Sequence, residues 1–171
     1  MKFDFKKLEA LFDGIRNDAA ENLACAVSAH SRVFVHGAGR SGLMIKAFAM
    51  RLAQAGLTVH AVGDCTTPSI TAKDILVVAS ASGKTSGVVR CAETARSLGA
   101  KVFCITATPE SELADLADCV ICFPAPTKDS ADAGSLMGTL FEEALLLFFD
   151  DTVNRLDATA SEMRSRHANL E

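Results

Sequence analysis

The sequence has no excess of positive charge. Its 17 Lys and Arg stand against 21 Asp and Glu, a formal net charge of −4. That balance argues against a broad basic field for nucleic acid or an anionic membrane. An anionic ligand would have to be held by local geometry rather than drawn in by the whole protein. Long apolar runs are also missing: no stretch approaches the ~18 uninterrupted apolar residues that a membrane helix needs. The opening residues, Met1-Lys2-Phe3-Asp4-Phe5-Lys6-Lys7, lack the apolar core of a signal peptide. There is no low-complexity segment. The expectation is a cytoplasmic protein with neither nucleic acid nor membrane as partner. Among the six cysteines, Cys119 and Cys122 have Cys-x-x-Cys spacing, but they fall in one strand-like run and no second pair accompanies them. A zinc site is not indicated, and no metal is expected. The cysteines read as reduced, buried, small hydrophobes.

What is present is a regular alternation. At 171 residues and 49% hydrophobic, the chain suits a single domain over 1–171 that buries about 70% of its unfolded surface. Residues 5–30 read as one N-terminal helix, with Leu8, Leu11, Phe12, Ile15, Ala19 and Leu23 spaced by three and four. Strand-like runs follow at 32–36, 58–62, 74–79, 101–106 and 119–123. Helical stretches lie between them at 41–55 and 85–98, with a short one after Pro109 for which Ser111 is a plausible cap. Strands apolar on both faces that alternate with helices imply a parallel sheet covered on both sides. The predicted architecture is a three-layer α/β/α sandwich with about five parallel strands in flavodoxin-like order. A polar loop over 124–134 leads to a long last helix over 136–157 and a charged tail over 158–171. Leu136, Met137, Leu140, Phe141, Leu145, Leu146, Leu147, Phe148 and Phe149 surround that helix almost completely. A helix apolar all round is buried, so a homodimer or homotetramer contact is expected there and at the first helix.

In an open parallel sheet, ligands bind beyond the carboxyl ends of the strands where the strand order reverses. The first and third strands end in Gly37-Ala38-Gly39-Arg40-Ser41-Gly42 and Ser80-Ala81-Ser82-Gly83-Lys84-Thr85-Ser86, and both loops run into helices. The second offers hydroxyls at Ser80, Ser82, Thr85 and Ser86, with Gly83 to turn the backbone and expose its amides. That is the composition of a phosphate cradle. A cap and a turn would use one hydroxyl, not four. Gly37, Gly39 and Gly42 also satisfy the dinucleotide fingerprint, with Asp64 near the end of the second strand. A dinucleotide fold, however, has no obvious use for the hydroxyl-rich loop after the third strand.

Ser80-x-Ser82-Gly83-x-Thr85 after a parallel strand resembles the phosphate loop of SIS (sugar isomerase) domains. Five further features are similar to the 6-phospho-3-hexuloisomerase branch of that family: Gly37-Ala38-Gly39-Arg40-Ser41-Gly42, Phe48-Ala49-Met50-Arg51-Leu52, Thr66-Thr67-Pro68, Met137-Gly138-Thr139-Leu140-Phe141-Glu142 and Arg166-His167-Ala168-Asn169-Leu170. The resemblance runs from the first helix to the tail. It implies interconversion of D-arabino-hex-3-ulose 6-phosphate and D-fructose 6-phosphate in ribulose-monophosphate formaldehyde fixation. It also implies a homotetramer with active sites at subunit contacts, no cofactor, and functional pairing with a 3-hexulose-6-phosphate synthase. Asp64 departs from the pattern, since Glu usually precedes the Thr-Thr-Pro turn, and Lys84 fills a variable position. Other SIS isomerases, acting on arabinose 5-phosphate or sedoheptulose 7-phosphate, and non-catalytic sugar-phosphate sensors share the phosphate loop.

Moving a carbonyl between C3 and C2 through an enediol needs a base, oxygen-stabilising donors and a phosphate anchor. Ser41, Ser80, Ser82 and Thr85 are the candidate phosphate ligands, with Gly39, Arg40, Thr67, Gly83 and Lys84 completing the substrate site. Glu142 is the candidate base: helical spacing puts it with Leu145, Leu146 and Phe149, so burial should raise its pKa. Glu143 has a similar setting, and the family resemblance selects Glu142. His167 is a second acid/base candidate, reaching a neighbouring subunit's site. Arg51 is expected to pair with Glu142 or orient the substrate, while His36 and His60 are expected in the core.

Overall fold

A computed structural model describes residues 5–128 and 138–170. Five strands form one parallel sheet in the order β2-β1-β3-β4-β5. They are β1 (Val33–Gly37), β2 (Val59–Ala61), β3 (Ile75–Ala79), β4 (Lys101–Thr106) and β5 (Cys119–Cys122). The described helices are α1 (Phe5–Asp13), α2 (Ala19–Ala29), α3 (Gly39–Gln54), α4 (Ser86–Ser97), α5 (Glu112–Asp115), α6 (Thr139–Val153) and α7 (Ala160–Ser165). The α/β/α sandwich with flavodoxin-like strand order is therefore as expected.

Alternation along the strands divides the core in two. Val33, Val35, Ile75, Val77, Ala79, Phe103 and Ile105 face α1, α2, α3 and α6. Phe34, Leu76, Val78, Val102 and Cys104 face α4 and α5. A period of two on a strand sends successive side chains to opposite faces, so a sheet covered on both sides must be apolar at every position. β3 shows this most fully, with all five residues buried. At its foot, the buried Asp74 accepts hydrogen bonds from Arg32 Nε (3.0 Å) and Nη2 (2.7 Å) and from the amide and hydroxyl of Thr71 (2.7 and 2.8 Å). The Arg32 guanidinium holds its carboxyl down to about 2.

The helical ends differ from expectation. Where one helix is expected over 5–30, two are found, α1 and α2, broken at 14–18. Gly14 ends α1 as a glycine stop and lies so close to Pro124 that a Cβ there would come within 2.7 Å of Cγ. Asp18, ion-paired to Arg16 at 2.6 Å, then precedes α2. The last helix, expected over 136–157, is α6 from Thr139 to Val153; positions 136 and 137 and most of the expected loop lie outside the described residues. The tail carries α7, started by a capping box in which Thr159 Oγ1 accepts from the Glu162 amide and Glu162 Oε2 accepts from the Thr159 amide.

Two other expectations need correction. The apolar circumference of α6 is mostly buried within the chain, because α1, α2 and α3 enclose it; Phe149 stacks on Phe48 with centroids 4.3 Å apart. Leu146 and Leu147 remain exposed, as do Leu43 and Met50 on α3. The cysteines are not uniformly buried. All six are free thiols, but Cys25 and Cys65 are exposed and only Cys104 is fully enclosed, where burial pushes its thiol up to about 12. Among the described residues no helix is long and apolar enough to cross a membrane.

Gly37 and Gly42 make the tightest backbone approach of the fold. A Cβ on Gly42 would sit 2.5 Å from the carbonyl oxygen of Gly37, and one on Gly37 would lie 3.1 Å from both Ala79 O and Gly42 N. The first turn of α3 thus rests directly on the end of β1. Gly42→Ala should lose about 1–3 kcal/mol in urea denaturation, the usual range for overpacking. Gly87→Ala, in open space on α4, should be neutral or stabilising by up to about 1 kcal/mol. Equal effects of the two substitutions would show that close approach is not what Gly42 provides.

Candidate active site

The strand order reverses between β1 and β3: α3 carries the chain from β1 outward to β2, whereas α4 carries it from β3 the other way to β4. The loops leaving these strands part there, and a cleft of about 400 Å³ opens between them. This lies within the usual range for small-molecule sites. Its lining comes from loop 38–41, loop 79–85, Thr127 and Lys128 beyond β5, and Gly138, Phe141 and Glu142 at the start of α6.

One side is a hydroxyl-rich loop at the start of α4. Ser80 is buried, and its hydroxyl lies 3.1 Å from Thr85 Oγ1. Ser82 Oγ accepts from the Lys84 amide at 3.3 Å, and the Gly83 amide donates to Ser80 O at 3.1 Å. Gly83 adopts φ +61°, which lets so short a loop turn back on itself. With the amides of the first turn of α4 behind it and Ser41 across the gap, this side can accept an anion.

The other side is Glu142. Its side chain is only 13% exposed, and Arg40 Nε stands 2.9 Å from Oε2. The approach is out of hydrogen-bond alignment, so that buried oxygen has no hydrogen-bond partner among the described residues. Arg40 Nη1 donates instead to Thr139 Oγ1 at 3.3 Å. Burial raises the Glu142 carboxyl above its ordinary value; Arg40 opposes this and nearby Glu143 adds to it. Burial prevails although a cation is adjacent, because Arg40 is itself 55% exposed and its field is weakened by water. A carboxylate of raised pKa, with one oxygen that accepts no hydrogen bond from the described residues, is chemically suited to taking a proton.

The cleft gathers Gly39, Arg40, Ser41, Ser80, Ser82, Thr85 and Glu142 from the expected set; Glu143 is not part of the lining. Gly83 turns away from the cleft and packs on Ser111. Lys84 is exposed and outside the lining. Thr67 donates to Ala61 O at 2.6 Å and fastens the turn after β2. Arg51 bonds Gln54 at 3.1 Å and lies 4.0 Å from Asp150, not beside Glu142. Asp64, whose role the resemblance leaves open, pairs with Lys46 at 2.9 Å. His36 and His60 are half-buried in their strands. His167 is exposed in the tail, and Arg166 beside it donates to Gln54 O at the far end of α3. Along α3, Gln54 lies thirteen residues beyond Ser41 in the cleft, about 20 Å at 1.5 Å per residue.

Sequence reasoning missed Lys128 and Thr127. The available signal was a cation in the loop leaving the carboxyl end of β5, at the same sheet edge as the other loops.

An open parallel α/β sheet with a hydroxyl-rich loop and a desolvated carboxylate facing each other at its switch point has the architecture of a small-molecule-binding α/β domain. The chain belongs to the SIS domain family, whose profile matches residues 27–147. It is 48% identical over 158 residues to the 3-hexulose-6-phosphate isomerase of Mycobacterium gastri, across 87% of this chain and 78% of that protein. To the 3-hexulose-6-phosphate isomerase of Bacillus subtilis it is 38% identical over 165 residues, across 92% and 89% of the two chains. A Methanococcus jannaschii crystal structure, for which a molecular function of 3-hexulose-6-phosphate isomerase has been inferred, superposes with a TM-score of 0.81. The two are 31% identical, over 96% of this chain and 93% of that one.

Arg40→Leu should move the titration of the Glu142 carboxyl, followed by carbon-13 NMR, to higher pH than in the native chain. The sign follows from the loss of the one influence that lowers it. An unchanged or lowered midpoint would contradict the electrostatic coupling of the pair.

Proposed function

We propose that this chain is a 3-hexulose-6-phosphate isomerase, interconverting D-arabino-hex-3-ulose 6-phosphate and D-fructose 6-phosphate. The observation that carries the reading is the placement of the loop 80–85 and the Glu142 carboxylate on facing sides of one cleft. The named relatives supply the choice of sugar.

In the forward direction, Glu142 takes the C2 proton of the 3-ketose. The electron pair of that bond forms C2=C3, and O3 gains a proton, giving the 2,3-enediol. Return of a proton to C3, with loss of the O2 proton, leaves the carbonyl at C2. Ser41, Ser80, Ser82, Thr85 and the loop amides bind the phosphate and fix which carbon meets Glu142. The Arg40 guanidinium, already at Glu142 Oε2, lies where it can stabilise the negative charge developing on the enediol oxygens. Lys128 adds a second cation at the cleft. No step in this scheme calls for a metal or an organic cofactor.

His167 enters this scheme as an acid/base on the substrate oxygens of a neighbouring subunit, since α7 lies at the far end of α3 from its own cleft. A homotetramer or homodimer is part of the same reading, supported by the exposed Leu43, Met50, Leu146 and Leu147. So are a cytoplasmic location and pairing with a 3-hexulose-6-phosphate synthase, which would make the substrate from ribulose 5-phosphate and formaldehyde.

The test is a coupled assay in which a synthase generates the hexulose phosphate and fructose 6-phosphate is followed. The native chain should turn over, and Glu142→Gln should lose about 10²-fold or more, the contribution of a positioned base. Native turnover with a fully active Glu142→Gln variant would move the base to His167. A folded native chain with no turnover would reject the proposed sugar.

A further inference from the structure

Catalysis on a bound sugar phosphate requires the phosphate loop to hold one shape, and the structure shows what imposes it. The carbonyl of Ala81 accepts three donors from the segment between β4 and α5: the Ala107 amide (3.1 Å), Thr106 Oγ1 (3.2 Å) and Thr108 Oγ1 (3.1 Å). The Thr106 hydroxyl lies nearer Ala81 O than Thr108 O (3.4 Å) and accepts from the Thr108 amide at 3.1 Å. Two residues on, the Gly83 carbonyl accepts from the Leu113 amide at 3.1 Å. Thr106 is wholly buried and Thr108 half-buried, and neither lines the cleft.

The consequence follows from the peptide group. It is planar and trans, so a carbonyl and the N–H that follows it point in opposite directions. Three donors that hold the Ala81 carbonyl toward β4 therefore turn the Ser82 N–H away from β4, toward the cleft that Ser82 lines. Gly83 completes the fit by packing on the buried Ser111; any side chain at 83 would overlap Ser111 Cβ and Oγ. A single backbone bond would have served to close a turn. Two added hydroxyls on the same oxygen remove the remaining freedom of that one peptide.

We propose that Thr106 and Thr108 are positioning residues of the phosphate site. They do not touch the ligand. Their hydroxyls lock the peptide between Ala81 and Ser82 so that the Ser82 amide faces the phosphate before it arrives. This rests on reading the loop 80–85 as the phosphate anchor, and it extends the working site to the loop after β4.

The experiment compares the native chain with Thr106→Val/Thr108→Val and Thr106→Ser/Thr108→Ser. Inorganic phosphate is titrated and followed by amide NMR shifts, and KM and kcat for the hexulose phosphate are measured separately. The valine pair should bind phosphate about tenfold more weakly, the scale of one or two net hydrogen bonds. KM should rise to match while kcat stays within about threefold, and the serine pair should restore both within about twofold. Phosphate affinity unchanged in the valine pair, or serine variants as weak as valine ones, would overturn the proposal and leave the threonines a purely structural role. If the valine pair does not fold, Thr108→Val alone makes the same comparison at a half-buried position. A native chain that fails to bind phosphate would overturn the phosphate-loop reading itself, a result distinguishable from failure of the threonines alone.

Discussion

Because the five strands run parallel, every loop that leaves a carboxyl end emerges at one edge of the sheet. Everything chemical about this protein depends on that constraint. Residues 38–41 at the start of α3, the loop 79–85 and the segment beyond β5 are far apart in the chain, yet they converge on one cleft. The reversal of strand order then parts the first two loops, and α6 closes the gap with Glu142. A hydroxyl-rich loop and a desolvated carboxylate therefore come to face each other across a space suited to one small ligand.

Within that frame, one opposition is settled by magnitude. At Glu142 burial raises the carboxyl pKa and Arg40 lowers it; burial wins because the arginine is more than half exposed while the carboxylate is not. At the glycine-rich loop, Gly37 and Gly42 let the backbone of α3 sit against β1 with no room for a side chain, a packing that dinucleotide folds share; the match of residues 27–147 to the SIS family is what decides against a dinucleotide. Gly37 and Gly42 serve helix–strand packing, whereas Gly39 lines the cleft opposite the serines and threonine after β3.

The layers and strand order were readable because alternating apolar strands and helices leave few other arrangements. The break at Gly14 was not, since Leu11, Phe12, Ile15 and Ala19 keep helical spacing straight through it. Gly14 and Asp18 are stop and start signals outweighed by that apolar period, and the contact of Gly14 with Pro124, more than a hundred positions away, is not visible locally. The capping box Thr159-Ala160-Ser161-Glu162 was visible in the sequence and was passed over because the tail reads as merely charged. That Ser80, Ser82, Thr85 and Glu142 would gather at one cleft was legible from spacing and resemblance together. Arg51, Thr67 and Lys84 share the same motifs, yet their side chains leave the backbone in other directions. Direction depends on packing against Asp150, Ala61 and solvent, which a one-dimensional motif does not carry. Lys128 was hidden for the opposite reason, lying outside every motif.

In the proposed reaction, the loop 80–85 and Glu142 act on the two ends of one substrate. The most direct measurement is a crystal structure of Glu142→Gln soaked with fructose 6-phosphate. The account predicts the phosphate on the amides and hydroxyls of Ser80, Ser82 and Thr85, with C2 and C3 about 3–3.5 Å from the side chain at position 142. A phosphate seated elsewhere, or a sugar turned so that C2 and C3 face away from position 142, would contradict it.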